Sequence, residues 1–210
     1  MKTLTQKDIT HTGQVLDLGT GLFALVTTER DETADAPWEM ADGHGPVSEW
    51  TTRDKAPGER VIASDRSSKL DYDFAEAMRI AKRDGWGISA QARAALTAGR
   101  GRTPTAGEVC TIAVEHDFQF LKGWCDDRWE YIGVIVKLYT ADDANAGDDS
   151  LWGIESCENP GFGFYWKETA ADMVNALVAE YTRKTADLAA YEAKETAERA
   201  QWEARDTITV

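Results

Sequence analysis

Gly123-Trp-Cys-Asp-Asp-Arg-Trp-Glu-Tyr-Ile-Gly-Val-Ile-Val-Lys-Leu138 is the stretch on which the fold turns. A helical period runs out ahead of it, a turn carries the chain over, and from Glu130 the chain alternates at period two. Ile132, Val134, Val136 and Leu138 take one face; Tyr131, Gly133, Ile135, Lys137 and Tyr139 take the other. Ser150-Leu-Trp-Gly-Ile-Glu-Ser156 reads as the strand that returns beside it, with Trp152 and Ile154 on one face. Between them Asp142, Asp143, Asp148 and Asp149 form a mobile connection. They lack the ligand spacing and closing Glu of a calcium loop.

Upstream, Thr105 and Glu108 have the three-residue spacing of a capping box at the head of a long helix. Val109, Ile112, His116, Phe120 and Trp124 form its apolar row, with Cys110, Val114, Leu121 and Cys125 on adjoining rows. The row predicts a half-buried, hydrogen-bonded His116 and a helix packed on the inner face of the 130–139 strand. Asp73 and Glu76 repeat the capping spacing before a shorter helix that Gly85 ends. Residues 89–98 read as another helix, and 60–64 as a short strand.

Downstream, a long helix runs from about residue 167. Met173, Val174, Leu177, Val178 and Tyr181 give its first half a docking face. Its second half is rich in Ala, Glu, Lys and Arg, with only Leu188, Tyr191 and Trp202 as large apolar residues. The expected class is therefore α+β: a small antiparallel sheet packed against helices, with a long C-terminal helix. One domain covers residues 1–184, and residues 185–210 extend the last helix, either projecting or pairing with a partner helix.

Near the start, Val15-Leu-Asp-Leu-Gly-Thr-Gly21 resembles the opening glycine motif of nucleotide-fold methyltransferases. That motif needs a helix after its glycines. Here Phe23 takes the third glycine position and residues 22–28 are β-rich, so a hairpin reversing at Gly19 and Gly21 is expected.

Residues 29–58 read as a long loop whose two tryptophans should pack it back on the domain. Glu39, Asp42, His44 and Glu49 in this loop have the chemistry of an acid–base or metal site. The alternative is an ordered loop in which His44, between Gly43 and Gly45, bonds to the backbone.

The 210 residues carry 23 basic and 37 acidic side chains, a net charge of −14. A field of that sign repels nucleic acid and anionic lipid, so neither is expected as a direct partner. Only residues 51–104 are net basic, with Arg79, Lys82, Arg83, Arg100 and Arg102 among them. No run reaches the roughly 18 apolar residues of a membrane span. The start lacks a signal-peptide core, and three cysteines without ligand spacing read as buried thiols. A cytoplasmic protein without metal or cofactor is expected.

Four segments occur together in order: Pro37-Trp-Glu…Asp42-Gly-His-Gly-Pro-Val-Ser-Glu-Trp50 with Asp54-Lys-Ala-Pro-Gly-Glu-Arg60, Asp73-Phe-Ala-Glu-Ala…Gly87, Trp124…Val136 and Ser150…Ser156. Together they resemble a group of uncharacterised proteins of bacteriophages, prophages and plasmids. The resemblance implies an accessory gene on a mobile element, expressed in a bacterial host cell, where products acting on host machinery are common. It carries over no catalytic residue or cofactor.

The leading expectation is a non-enzymatic acidic protein that binds a host or phage protein, as an anti-defence inhibitor or a DNA mimic. The candidate contact residues are Trp38, Glu39, Asp42, His44, Trp50, Asp126, Asp127, Trp129 and Trp152. Self-association through the C-terminal helix is a further expectation. The alternatives are a small enzyme or metal-binding protein with its site in residues 37–60, and a nucleic-acid module using residues 79–102.

Overall fold

The computed structural model describes residues 3–40, 43–159 and 163–206. The early glycines do make a hairpin. Strand β1 (Gln14–Gly19) pairs antiparallel with β2 (Leu22–Arg30), and Gly19 lies opposite Leu22. The two residues between, Thr20 and Gly21, have φ of 57° and 76°. Positive φ at both positions matches the right-handed twist of the flanking strands.

The chain groups into two compact units, where the sequence reading draws a single domain over residues 1–184. One comprises Met1–Glu29, Gly133–Trp152 and Trp166–Val210; the other comprises Arg30–Ile132 and Gly153–Tyr165.

The first unit is built on an antiparallel sheet of order β1-β2-β6-β7, with β6 at Tyr131–Thr140 and β7 at Asn145–Glu155. The alternation read from the sequence holds: Ile132, Val134, Val136 and Leu138 are all buried, and Lys137 opposite them is exposed. The helix supplying buried residues to this unit is α5 (Tyr165–Asp206), through Trp166, Ala170, Ala171, Met173, Val174 and Leu177. Each fully buried Val or Leu contributes about 1.5–3 kcal/mol. The Asn175 side chain clamps the N-terminal segment, accepting from Leu4 N–H and donating to Leu4 C=O at 2.9 Å each. Beyond Tyr181, every side chain of residues 182–203 is exposed.

Strand β7 begins five residues earlier than the sequence suggests, so Asp148 and Asp149 belong to the strand and not to a mobile connection. Only a short turn remains, with Asp143 at φ 65°. The alternation on β7 breaks at Gly153, whose φ is 75°; Trp152 is 46 % exposed and Ile154 is buried. The Trp152 ring lies over Gly133, where any Cβ would overlap it.

The second unit holds a sheet of which the sequence reading names only the strand at 60–64. It has the order β3-β5-β4, from β3 (Val47–Trp50), β4 (Glu59–Ser64) and β5 (Lys69–Asp73). Helix α1 (Pro37–Met40) precedes it, and α2 (Phe74–Asp84), α3 (Ala90–Arg100) and α4 (Ala106–Cys125) follow. The caps sit where the sequence placed them. Asp73 accepts from Glu76 N–H, Gly85 ends α2 in the left-handed conformation, and Thr105 and Glu108 cap each other at the head of α4. A two-stranded piece, β8 (Glu158–Asn159) with β9 (Gly163–Phe164), completes the unit.

Helix α4 packs on α2, α1 and β4 in this unit. Its buried row is Cys110, Val114, Phe118 and Leu121, joined in one cluster by Ile62, Tyr72, Ala77 and Ala81. The row expected to be central is the flank, and His116 on it is exposed instead of half-buried. A broad apolar face gives a helix two choices of direction, and the cluster beneath α4 selects the Cys110 row.

Candidate functional site

His44 sits in the short link between α1 and β3, and it is held from α4. Its Nδ1 lies 2.6 Å from Asp117 Oδ1. The other oxygen, Oδ2, accepts from Gly45 N–H at 2.8 Å and from the Tyr72 hydroxyl at 2.7 Å. The Asp117 side chain is 8 % exposed and that of His44 19 %. Asp117 thus ties the link to both β5 and α4. Burial first, and the Asp117 charge second, push the Tyr72 hydroxyl far above its ordinary value, so it remains a donor.

The local sequence makes this geometry possible. Gly45 passes so close to Tyr72 that a Cβ there would overlap the ring and hydroxyl. Tyr72 is fully buried on β5 and meets Phe118 edge-on at 5.6 Å. The His44 imidazole stacks on Phe120, with ring centroids 5.6 Å apart and planes at 11°.

Beyond His44 opens a cavity of ≈ 390 Å³ walled by His44, Trp86, His116, Phe120 and Glu155. Among the described residues, His44 Nε2 makes no hydrogen bond. With Nδ1 facing a carboxylate, the ring proton belongs on Nδ1 and the lone pair on Nε2. Burial raises the Glu155 carboxyl above its usual range. An adjoining cavity of ≈ 480 Å³ shares His116 and Phe120 and adds Arg128, Trp129, Cys157 and Glu158. There burial, reinforced by the Glu155 charge, pushes the Cys157 thiol up to about 11. A thiol so placed is not a ready nucleophile at neutral pH.

The residues singled out from sequence fall into three groups. Trp38 and Trp129 are structural. Trp38 meets Trp124 edge-on at 5.5 Å, and Trp129 is 6 % exposed with its Nε1–H donating to Phe120 C=O at 2.8 Å. Trp50, Trp152, Glu39, Asp126 and Asp127 are at the surface. Trp50 is 41 % exposed, with the Arg53 guanidinium 4.1 Å above its ring, and Asp126 pairs with Lys122 and Arg128. His44 belongs to the buried network, but its partner is Asp117, 73 residues away, and neither Glu39 nor Glu49. Asp42 lies outside the described residues. Sequence reasoning missed Asp117, Tyr72, Trp86 and Glu155. The available signal was a carboxylate on the buried row of α4, at the position between Val114 and Leu121.

Among the described residues, no three of His, Cys, Asp and Glu gather closely enough to hold a metal ion. Of the cations in residues 79–102, Arg79 pairs with Glu76, Arg83 with Asp84, and Arg100 and Arg102 with Glu108. Their charge is directed at carboxylates of the same unit. The three cysteines are free thiols, and no described helix is long and apolar enough to cross a membrane.

A second surface stands out on α5. Leu188, Tyr191 and Trp202 are 58 %, 65 % and 67 % exposed. Tyr181, Leu188 and Trp202 fall on one seven-residue register, with Glu195 at its third position. Ion pairs Glu180–Lys184, Lys194–Glu198 and Glu195–Arg199 run along the same stretch.

No family model, curated protein or solved structure matches the chain.

Proposed function

We propose that this chain is an accessory protein that binds another protein of the host or phage, in the cytoplasm of a bacterial cell. The observation that carries the reading is the exposed half of α5. Residues 182–203 extend about 33 Å as helix with all side chains in solvent, three of them large and apolar. Its exposed Tyr191 and Trp202 are of the residue types that anchor interfaces, and an amphipathic helix can lay such side chains into a partner's groove. The net charge of −14 supports a basic partner and gives an anti-defence inhibitor a means of steering to a DNA-binding target.

The test is capture by the tagged full chain from host or infected cells, beside a Leu188→Asp/Trp202→Asp variant. Both substitutions are on exposed positions, so folding should be unchanged within about 0.5 kcal/mol. Loss of a specific protein from the variant's eluate is the expected result; its full retention would defeat the role given to α5. Light scattering on the pure protein separates a second copy from a foreign partner. If the contact is electrostatic mimicry of DNA, affinity should fall steeply between about 50 and 200 mM salt. Hydrophobic docking would be nearly flat over that range.

A further inference from the structure

The pocket beside His44 brings two imidazoles and two carboxylates together, and the reading of α5 as a contact surface rests on none of these residues. We propose that His44 is a general base, oriented by Asp117, that activates water against an uncharged carboxylic ester bound in this cavity. Three observations converge on it. A buried carboxylate that also accepts from Gly45 N–H and Tyr72 O–H fixes the His44 ring and its tautomer. The opposite nitrogen has no hydrogen-bond partner among the described residues, on a ring that walls an open pocket. That space has aromatic walls in Trp86 and Phe120, as a small organic ligand requires.

The wall chemistry selects the substrate class. Its charged and titratable members are His44, Asp117, His116 and Glu155, with no Lys or Arg among them. A phosphate ester or carboxylate ligand would meet no fixed cation and would enter a chain of net charge −14. Of neutral substrates, an ester asks least of the protein, because water activation is the step it needs most. Water gives a proton to Nε2 as its oxygen bonds to the carbonyl carbon. The tetrahedral adduct then breaks its C–O bond to the alcohol, and the leaving oxygen takes the proton back from Nε2–H. Acid and alcohol are released, and the imidazole is neutral again. The groups facing His44 during this cycle are Asp117 and His116 of α4, Tyr72 of β5 and Glu155 of β7. Asp117 acts as a positioning residue.

The probe is p-nitrophenyl acetate, a neutral aromatic ester, with the full-length protein. The background is set by His11→Gln, since His11 is an exposed histidine of the other unit. His44→Gln should lower kcat/KM at least tenfold, and His11→Gln should leave it within twofold. Equal rates for wild type and His44→Gln would overturn the proposal. Asp117→Asn should lower the rate at least tenfold and shift the 15N signature of His44 toward the other tautomer. A merely structural role for Asp117 would leave that signature unchanged in the folded fraction. Should His44→Gln fail to fold, the wild-type pH–rate profile decides: its midpoint must coincide with the NMR titration of the His44 ring, and separate midpoints would reject the assignment.

Discussion

Where β6 buries Val134, Val136 and Leu138 on one apolar face, β5 buries Asp71 and Tyr72 next to each other, each fully enclosed. The first sheet is held by transfer of apolar surface from water, which has no direction and tolerates any well-packed helix across it. The second encloses polar atoms: Tyr72 donates to Asp117, while the Asp71 oxygens lie 3.9 Å or more from the Arg53 guanidinium and make no hydrogen bond among the described residues. Buried polar groups favour one arrangement of their surroundings, because each donor or acceptor left without a partner carries its full desolvation cost. The four-stranded sheet can therefore be read as a platform, and the three-stranded one as a scaffold for a site.

The sharpest way to break this comparison is Asp117→Ala. It leaves His44, Gly45 N–H and the buried Tyr72 hydroxyl without their shared acceptor. The expected loss is about 3–5 kcal/mol in urea unfolding, the range for removing one partner of a buried charged network. A loss below about 1 kcal/mol would mean that the apolar cluster around Phe118 and Leu121 holds this unit unaided.

The same contrast explains what the sequence made legible. Strand β6 is visible because its alternation is continuous, and α2 and α4 are visible because Asp73, Thr105 and Glu108 carry their caps in local spacing. The hairpin at Thr20 is visible because glycines flank it. The three-stranded sheet is hidden for the opposite reason. Its β3 has four residues, and its β5, Lys69-Leu-Asp-Tyr-Asp73, interrupts any apolar pattern with a carboxylate that the fold encloses. Of the site, His44 could be singled out by its setting between two glycines. Asp117 could be found only by asking why a charge lies on the buried row of α4. No local pattern separates Trp38 and Trp129, which are packed inside, from Trp50 and Trp152, which are not; that difference is decided by residues far away in the chain.

A smaller loss is expected from Gly45→Ala, which tests the network from the backbone side. The added methyl overlaps the Tyr72 hydroxyl, so either the link or the Tyr72 ring must move away from Asp117. Overpacking of this kind costs about 1–3 kcal/mol. Gly87→Ala, which meets nothing within 4 Å, is the matched control and should cost little. If the two variants unfold at the same denaturant concentration, the close approach of Gly45 to Tyr72 is not a constraint on the fold.

The smallest effect concerns Glu155, and it asks whether the polar character of this unit extends to the end of β7. Burial makes the carboxyl easier to protonate in the folded chain than in the unfolded one, where its ordinary value is 4.5. A group of that kind supports the fold while it holds its proton. The support is complete below about pH 4.5 and disappears as the pH rises through the higher folded value. Glu155→Gln is neutral at every pH and escapes that loss, so it should match wild type at pH 4 and exceed it at pH 7, by less than about 1 kcal/mol. Urea midpoints of both proteins at the two pH values measure the gap. A gap of equal size at both would trace the effect to packing of the amide and remove Glu155 from the polar region. A gap that opens only at the higher pH would trace the effect to the carboxylate losing its hydration where the end of β7 lines the pocket.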